Sequence, residues 1–212
     1  MFNLPRSTEI KKPIHKTAIF QRFKKELSGD AKSRFDDDIS KITIINEISE
    51  NSVKIKATEE ISSIFVVLIE IKTKDYNDKN LILLSKLFGQ NLLFVLHYED
   101  EYQLAIYEIQ LLKSEWKKKE DINLRIEGLD LSEVWADFVT AVSGIQAEGE
   151  NTLYEQIGIE IQIDSLKKRI NSLKEKARKE IQSKKKYELH EEIQENLRVL
   201  EELNGQTEYA NK

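Results

Sequence analysis

Apolar residues alternate with polar ones, or form short unbroken runs, in the middle of the chain between residues 42 and 109. The first alternating positions are Ile42, Ile44, Ile48, Val53 and Ile55. Their spacing predicts two half-buried antiparallel strands joined by a turn at residues 49–52. Residues 64–71 are almost continuously apolar, which predicts a central strand that is covered on both faces.

The segments that follow predict a crossover and a hairpin. Residues 78–88 have helical spacing, with Asn77 available as an N-cap and Gly89 after the last apolar residue. Residues 92–98 predict another buried strand, and alternation returns over residues 102–112 after a polar turn, which favours a β-hairpin. Together these patterns predict an α+β domain with a small mixed or antiparallel sheet flanked by helices.

The ends of this domain carry weaker signals. Pro5 and Pro13 predict an extended or irregular N-terminal arm, because a residue before proline avoids helical geometry. Apolar residues between 19 and 27 have helical spacing and predict a short amphipathic helix with Gly29 as its C-cap. Residues 131–142 predict another short helix, and the glycines after it mark a domain boundary.

The C-terminal quarter differs in kind. Residues 159–204 contain neither Gly nor Pro, and helix-forming residues dominate. Apolar residues there follow coiled-coil spacing and then begin again in a shifted register. We predict that this stripe binds a partner; its residues are Ile163, Leu166, Ile170, Leu173, Leu189, Ile193, Leu197 and Leu200.

An unbroken helix of this length would extend roughly 70 Å, which is more than one domain of this size can cover. Association with another chain, identical or different, is therefore expected, and the alternative is that the helix folds back on its own domain or breaks near Ser183 into an antiparallel hairpin. The sequence predicts an α+β domain with an N-terminal arm at residues 1–145, a linker at 146–152, a helical extension at 153–204 and a flexible tail at 205–212.

Charge is concentrated in the predicted helix. The chain has 33 Lys and Arg against 38 Asp and Glu, a net charge of −5, whereas residues 167–186 hold ten basic and two acidic residues, a net charge of +8. Such a stretch favours contact with nucleic-acid phosphates. The predicted contacts are Lys176, Arg178, Lys179, Lys184, Lys185 and Lys186. The alternative is a solvated face, or one that pairs with the acidic run at residues 188–202.

A second candidate site is the sequence Glu70-Ile71-Lys72 at the end of the central strand. Strand alternation places Glu70 and Lys72 on one face, as metal-dependent nucleases of the PD-(D/E)xK type require, where the carboxylate would hold Mg²⁺ and the lysine would steady the attacking water. The missing acidic ligand would come from Asp38, Glu59 or Glu60. The alternative is that both residues are polar simply because the strand emerges into solvent there.

Other chemistry is not indicated by the sequence. The chain has no cysteine, its three histidines are scattered, and it carries neither a glycine-rich phosphate loop nor a nucleophile motif. No apolar run is as long as a membrane span, and the N-terminus has no signal-peptide core. We therefore expect a cytoplasmic protein without a metal or cofactor, and a binding subunit more than an enzyme.

Several segments together resemble a known family. They are Leu4-Pro5-Arg6-Ser7-Thr8 with Lys16, Glu70-Ile71-Lys72, Leu93-Phe94-Val95-Leu96-His97-Tyr98, Ser114-Glu115-Trp116, Gly128-Leu129-Asp130-Leu131, and the helix with Leu173, Lys176, Lys179, Glu180 and Gln182. In this order, over nearly the whole chain, they resemble an uncharacterised bacterial domain family of unknown function. That family is found beside helicase and DNA-methyltransferase genes of restriction-type defence systems. One departure is Phe88-Gly89-Gln90-Asn91, where a proline is expected.

The resemblance implies partners and no reaction. It suggests a non-catalytic accessory subunit of a restriction-type or phage-defence complex, docked through its C-terminal helix to a helicase-type or methyltransferase-type protein. Contact with DNA is a further expectation. The alternative function remains a divergent metal-dependent nuclease that uses Glu70 and Lys72.

Overall fold

The computed structural model describes residues 2–89, 91–146 and 152–209. The chain divides into two compact units, Met1–Gly144 and Ile145–Lys212. The first is a mixed sheet with helices and the second is built on two long helices, so the predicted α+β class is confirmed. Residues 147–151 of the predicted linker and 210–212 of the predicted tail lie outside the described residues.

The first unit is a layered sheet domain. Its elements in chain order are a 3₁₀ turn (Arg6–Thr8), β1 (Glu9–Ile14), α1 (Lys16–Arg22), α2 (Asp30–Asp38), β2 (Ile39–Ser49), α3 (Glu50–Val53), β3 (Ser63–Ile71), α4 (Asp78–Phe88), β4 (Asn91–Tyr98), β5 (Glu101–Tyr107), β6 (Leu111–Lys113), β7 (Lys117–Lys118), a 3₁₀ turn (Lys119–Asp121) and α5 (Leu131–Ser143). The strand order is β1-β2-β3-β4-β5-β6, and β7 pairs with β5. Neighbouring strands are antiparallel except β3 and β4, whose parallel pairing requires the crossover through α4.

Alternate residues of the two central strands enter cores on opposite faces of the sheet. On one face, Val67 and Ile69 of β3 and Phe94 of β4 pack with apolar residues of three helices. Those residues are Ile19 of α1, Phe35 of α2, and Leu81, Leu84 and Leu87 of α4. Helix α5 contacts β3, β5 and β6. Because its buried residues meet the opposite face, the central strands are covered on both sides, as their continuous apolar runs require.

Two local predictions in this unit are wrong. Val53 and Ile55 do not form a second strand, because the Ser49 and Ser52 side chains and backbones exchange hydrogen bonds in a capping box that begins the single-turn helix α3. The strand that pairs with β2 is instead β3. Helix α1 ends at Arg22 and does not reach Leu27, and Gly29 lies at the start of the unpredicted helix α2, with φ of 52°.

A partly buried carboxylate just after β5 is hydrogen-bonded to α5. Glu108 accepts a hydrogen bond from the indole of Trp135, with 2.6 Å between Oε1 and Nε1. Burial raises the pKa of the Glu108 carboxyl above its ordinary value, and the hydrogen bond from Trp135 opposes that shift. The folded protein therefore disfavours the charged form of this side chain relative to the unfolded chain.

Replacing Glu108 by glutamine is expected to raise the melting temperature at neutral pH. The amide oxygen still accepts from Trp135, and the charge that burial disfavours is removed. Because the folded pKa of Glu108 is raised, the wild-type protein loses stability as pH rises through the interval from the unfolded to the folded pKa, and E108Q does not. Thermal denaturation should show the difference at about pH 7 and none at about pH 3.5, where the glutamate is protonated. Equal melting temperatures at both pH values would contradict this account.

The second unit is a helical hairpin of α6 (Leu153–Lys179) and α7 (Ser183–Tyr209). Its core consists of Ile170, Leu173, Ala177 and Ile193, packed with Leu189, Leu197 and Leu200. Of the two alternatives for this region, the hairpin is confirmed, and an unbroken helix of roughly 70 Å is wrong. The two apolar stripes cover each other, which explains why the second begins in a shifted register. Helix α7 also continues past the predicted end at residue 204.

The hairpin turns without glycine or proline. Glu180 has extended backbone angles, φ −74° and ψ 129°, which end α6. Its carboxylate then accepts hydrogen bonds from the backbone N–H groups of Ile181 and Gln182, each at 2.9 Å. Gln182 begins the next helix, since its carbonyl accepts from Lys186 N. One glutamate side chain thus satisfies the donors that a reversing chain leaves free. Among the described residues, none of the helices combines the length and hydropathy needed to cross a bilayer.

Candidate nucleic-acid interface

The turn between α6 and α7 collects basic side chains at one end of the hairpin. We call residues 174–186 the hairpin tip. It contains seven basic residues, Lys174, Lys176, Arg178, Lys179, Lys184, Lys185 and Lys186, against Glu175 and Glu180, a net charge of +5. All seven basic residues are exposed. The six predicted nucleic-acid contacts therefore lie together, on two helices joined by residues 180–182, which we call the hairpin linker.

The salt bridges among the described residues of the hairpin do not involve these cations. In the described part of the chain, no salt bridge joins any of the seven to a carboxylate; the interhelical pair is Arg169 with Glu192, 2.7 Å apart and farther from the turn. The acidic run at residues 188–202, which was the alternative partner for the basic stretch, supplies Glu192 to Arg169 and leaves the tip positive.

The ends of the two helices treat this charge differently. Lys176, Arg178 and Lys179 lie in the last turn of α6, where the helix dipole favours cations. Lys184, Lys185 and Lys186 lie in the first turn of α7, where it favours anions, and that turn has no acidic residue. Local conflicts of this kind are expected where a residue serves binding more than stability. Of the residues of the tip, the three lysines of α7 therefore indicate a binding role most strongly.

A groove of about 580 Å³ runs between the helices at the tip. Its charged lining is balanced, with Lys176, Lys179 and Lys185 against Glu180, Glu188 and Glu192. The excess positive charge is carried by side chains that do not line the groove, namely Lys174, Arg178, Lys184 and Lys186. This distribution suits an extended polyanion laid across the tip better than a small anion held inside the groove.

The linker holds one apolar side chain that sequence reasoning missed. Ile181 is 93% exposed, between Glu180 and Gln182. The only sign of its exposure in the sequence was that it lies outside both apolar stripes. Tyr187, also exposed, lies one turn into α7, and its interaction with the Glu191 carboxylate raises the pKa of its phenol.

The second predicted site consists of Glu70 and Lys72 at the end of β3. Glu70 lies 3.4 Å from Lys41 on β2, measured from Oε1 to Nζ. Lys72, just beyond β3, donates from Nζ to the carbonyl oxygen of Asp36 at 2.7 Å. The two side chains therefore have different partners. Asp38, one of the candidate third ligands, accepts from Asn77 N at 2.8 Å and from Asn80 Nδ2 at 2.7 Å, which uses its carboxylate to begin α4.

Glu70 belongs to a row of polar side chains across the sheet. Strand register places Lys41, Glu70, His97, Tyr102 and Lys117 side by side on five strands. The rings of His97 and Tyr102 stack with centroids 4.4 Å apart. Burial raises the pKa of the Tyr102 phenol, and the charges of Asp100 and Glu70 add to the shift. Sequence spacing gave no sign of this row, because pairing register is a tertiary property.

No metal cluster supports the nuclease alternative in the described residues, where no group of three or more His, Cys, Asp or Glu side chains could hold a cation. Of the two residues at the predicted motif, only Glu70 could ligate the Mg²⁺ that this alternative requires. The nuclease function stays a prediction.

Comparison with known proteins decides the family. The model of the domain of unknown function DUF4391 matches residues 2–200. The chain belongs to the DUF4391 family. No curated protein and no solved structure matches it. The expected membership in a domain family of unknown function is thus confirmed, whereas the helicase and methyltransferase neighbourhood stays a prediction.

The predicted partner stripe of this DUF4391 protein is largely used within its own hairpin. Ile170, Leu173 and Ile193 are buried there, and Leu189, Leu197 and Leu200 pack against them. Ile163 is also buried, and Leu166 is half-buried. Binding of a partner through these side chains stays a prediction, and it would require the two helices to separate.

Proposed function

We propose that this DUF4391 protein is a non-catalytic accessory subunit that binds nucleic acid through the hairpin tip. The observation that carries the proposal is the set of seven exposed cations on two adjoining helix ends, without a salt-bridge partner among the described residues. Lys and Arg side chains presented in this way displace the counterions condensed on phosphates, which makes binding favourable without any particular base sequence.

The charge of the rest of the chain also favours binding at the tip. The whole chain is −5 and the hairpin tip +5, so the remaining residues sum to −10. Because the residues outside the tip carry a net negative charge, the attraction of a polyanion is expected to be strongest at the tip. A chain that is acidic overall can therefore bind nucleic acid at one defined place.

The accessory role extends the proposal to protein partners. We propose a helicase-type or methyltransferase-type protein, in the cytoplasm, as the partner in a restriction-type or phage-defence complex, as the resemblance suggests. Separating the hairpin to expose its seam would cost about 1.5 to 3 kcal/mol for each large side chain uncovered. Nucleic-acid contact by the tip needs no such change, so it is the part of the proposal that can be tested on the isolated chain.

The chain offers a matched pair of variants for this test, because it contains two runs of three lysines. K184E/K185E/K186E reverses the run in the tip, and K117E/K118E/K119E reverses an exposed run in the first unit with the same change in net charge. Fluorescence anisotropy with a labelled DNA duplex at fixed salt should show weakened binding for the tip variant and near wild-type affinity for the control.

Three results would contradict the proposal: no binding by the wild-type chain, equal loss in both variants, or loss only in the control. Equal loss would mean that binding follows net charge and has no defined site. Loss only in K117E/K118E/K119E would move the site to the polar row on the sheet, to which Lys117 belongs.

A further inference from the structure

The apex of the hairpin is an apolar side chain set among cations. Ile181 is 93% exposed, and the basic tip residues nearest to it in sequence are Arg178 and Lys179 of α6 on one side and Lys184 and Lys185 of α7 on the other. A single exposed apolar residue is ordinary on a protein surface. What distinguishes Ile181 is its place, at the point where a polyanion drawn to the tip would arrive.

The linker also fixes the backbone that carries this side chain. The Glu180 carboxylate accepts from the N–H groups of both Ile181 and Gln182 at 2.9 Å. Donation from these groups, with Gln182 N–H contributing most, lowers the pKa of Glu180, because the hydrogen bonds favour the charged carboxylate. A side chain presented on a constrained backbone loses less conformational entropy on binding than one on a mobile loop.

Proteins that insert apolar side chains between neighbouring bases use Ile, Leu, Phe, Met or Pro, and hold the phosphates beside the inserted group with cations. The hairpin tip has both parts. Its cations come from two helices, one on each side of the linker, so phosphates could be held on both sides of a group inserted between them. Unstacking is least costly where the bases are already unpaired or mismatched.

We propose that Ile181 is a wedge that inserts at an unpaired or distorted base step while the flanking cations hold the backbone, so that the tip prefers interrupted duplexes to intact ones. This inference rests on the proposed nucleic-acid function and adds its substrate class. A negatively charged lipid surface is the other polyanion that a basic tip with an apolar apex could meet. The apolar contribution here is one side chain, whereas surface-bound helices bury a whole apolar face, which favours nucleic acid.

The test uses the full chain and two DNA probes that share their paired sequence: an intact duplex, and the same duplex with one additional central unpaired base, which is 2-aminopurine in place of adenine. The wild-type chain is expected to bind the interrupted probe roughly 5- to 20-fold more tightly and to raise its fluorescence by unstacking the analogue. I181A is expected to lose this preference and the fluorescence change while binding the intact duplex within about 2-fold of wild type, because the phosphate contacts remain. I181L should retain both.

Leu129→Ala is the matched control, since Leu129 is 83% exposed in the first unit and distant in sequence from the tip. It should behave as wild type on both probes. The wedge is overturned if I181A keeps the preference, or if I181A and L129A lose it equally. It is also overturned if Ile181 is needed only for sedimentation with phosphatidylserine vesicles. These outcomes differ from failure of the proposed function, in which the wild-type chain binds neither probe.

Discussion

Affinity of the chain for an intact DNA duplex is expected to fall ~10²-fold between about 50 and 200 mM salt, if about four phosphates are neutralised at the hairpin tip. Each such contact contributes about −0.9 to the slope of log K against log salt, so the wild-type slope should lie near −3.6. The reason is entropic, because every phosphate that meets a lysine or arginine releases a condensed counterion into the bulk solution.

The two lysine-run variants make this prediction specific. K184E/K185E/K186E is expected to reduce the magnitude of the slope by about 2.7, to near −1, whereas K117E/K118E/K119E should leave it close to the wild-type value. The measurement is a salt titration of anisotropy with one duplex for all three proteins.

Folding of the tip variant can be checked independently of binding. Its three glutamates lie in the first turn of α7, where the helix dipole favours negative charge, so its helix content should not decrease. Far-UV circular dichroism reports this quantity. If helicity were reduced, a loss of affinity could not be attributed to lost contacts. The neutral variant K184Q/K185Q/K186Q would then replace K184E/K185E/K186E in the titration. A slope that is unchanged in both folded variants would refute tip binding.

Replacing Phe94 by alanine is expected to lower the free energy of unfolding of the first unit by about 3 to 5 kcal/mol. Phe94 is fully buried on β4, paired in register with Val67 of β3 and Ala105 of β5. The aromatic ring belongs to the core that joins the sheet to α1, α2 and α4. Its removal leaves a cavity that well-packed neighbours refill only in part.

Tryptophan fluorescence during urea denaturation measures this effect in the correct unit, because Trp116 and Trp135 both belong to Met1–Gly144. Ile109→Ala is the control, since Ile109 is 58% exposed, and it should change stability by no more than about 0.5 kcal/mol. A similar loss in both variants would show that Phe94 does not contribute through burial.

The elements that sequence predicted well have strong local signals. Helix α4 is one example, because Asn77 accepts from Lys79 N at its start and Gly89 takes the left-handed conformation, φ 57°, at its end. The central strand β3 and the hairpin of β4 and β5 follow from apolar runs and polar turns. The failed strand at Val53 and Ile55 has the same alternation, but its serines satisfy the backbone locally and begin a helical turn.

The sequence likewise predicted one part of the candidate site and missed another. Basic residues of the hairpin tip were identified from composition, because ten cations in twenty positions of an acidic chain are evident in the sequence. Ile181 was not identified, since one apolar residue outside a stripe is unremarkable until its exposure is known. The different partners of Glu70 and Lys72 were also visible only in the structure, in which Lys72 lies just past the end of β3.

The sequence alone determined most of the helices and strands, where the cations are concentrated, and that the C-terminal quarter has a helical apolar stripe. These properties depend on neighbours within a turn or a few residues. Tertiary structure decided that the stripe closes on itself, that two helix ends bring their lysines to one tip, and that five side chains form a row across the sheet. Each of these depends on where the chain reverses and on which distant surfaces are buried together. The free energy that favours one such arrangement over another comes from contacts throughout the fold.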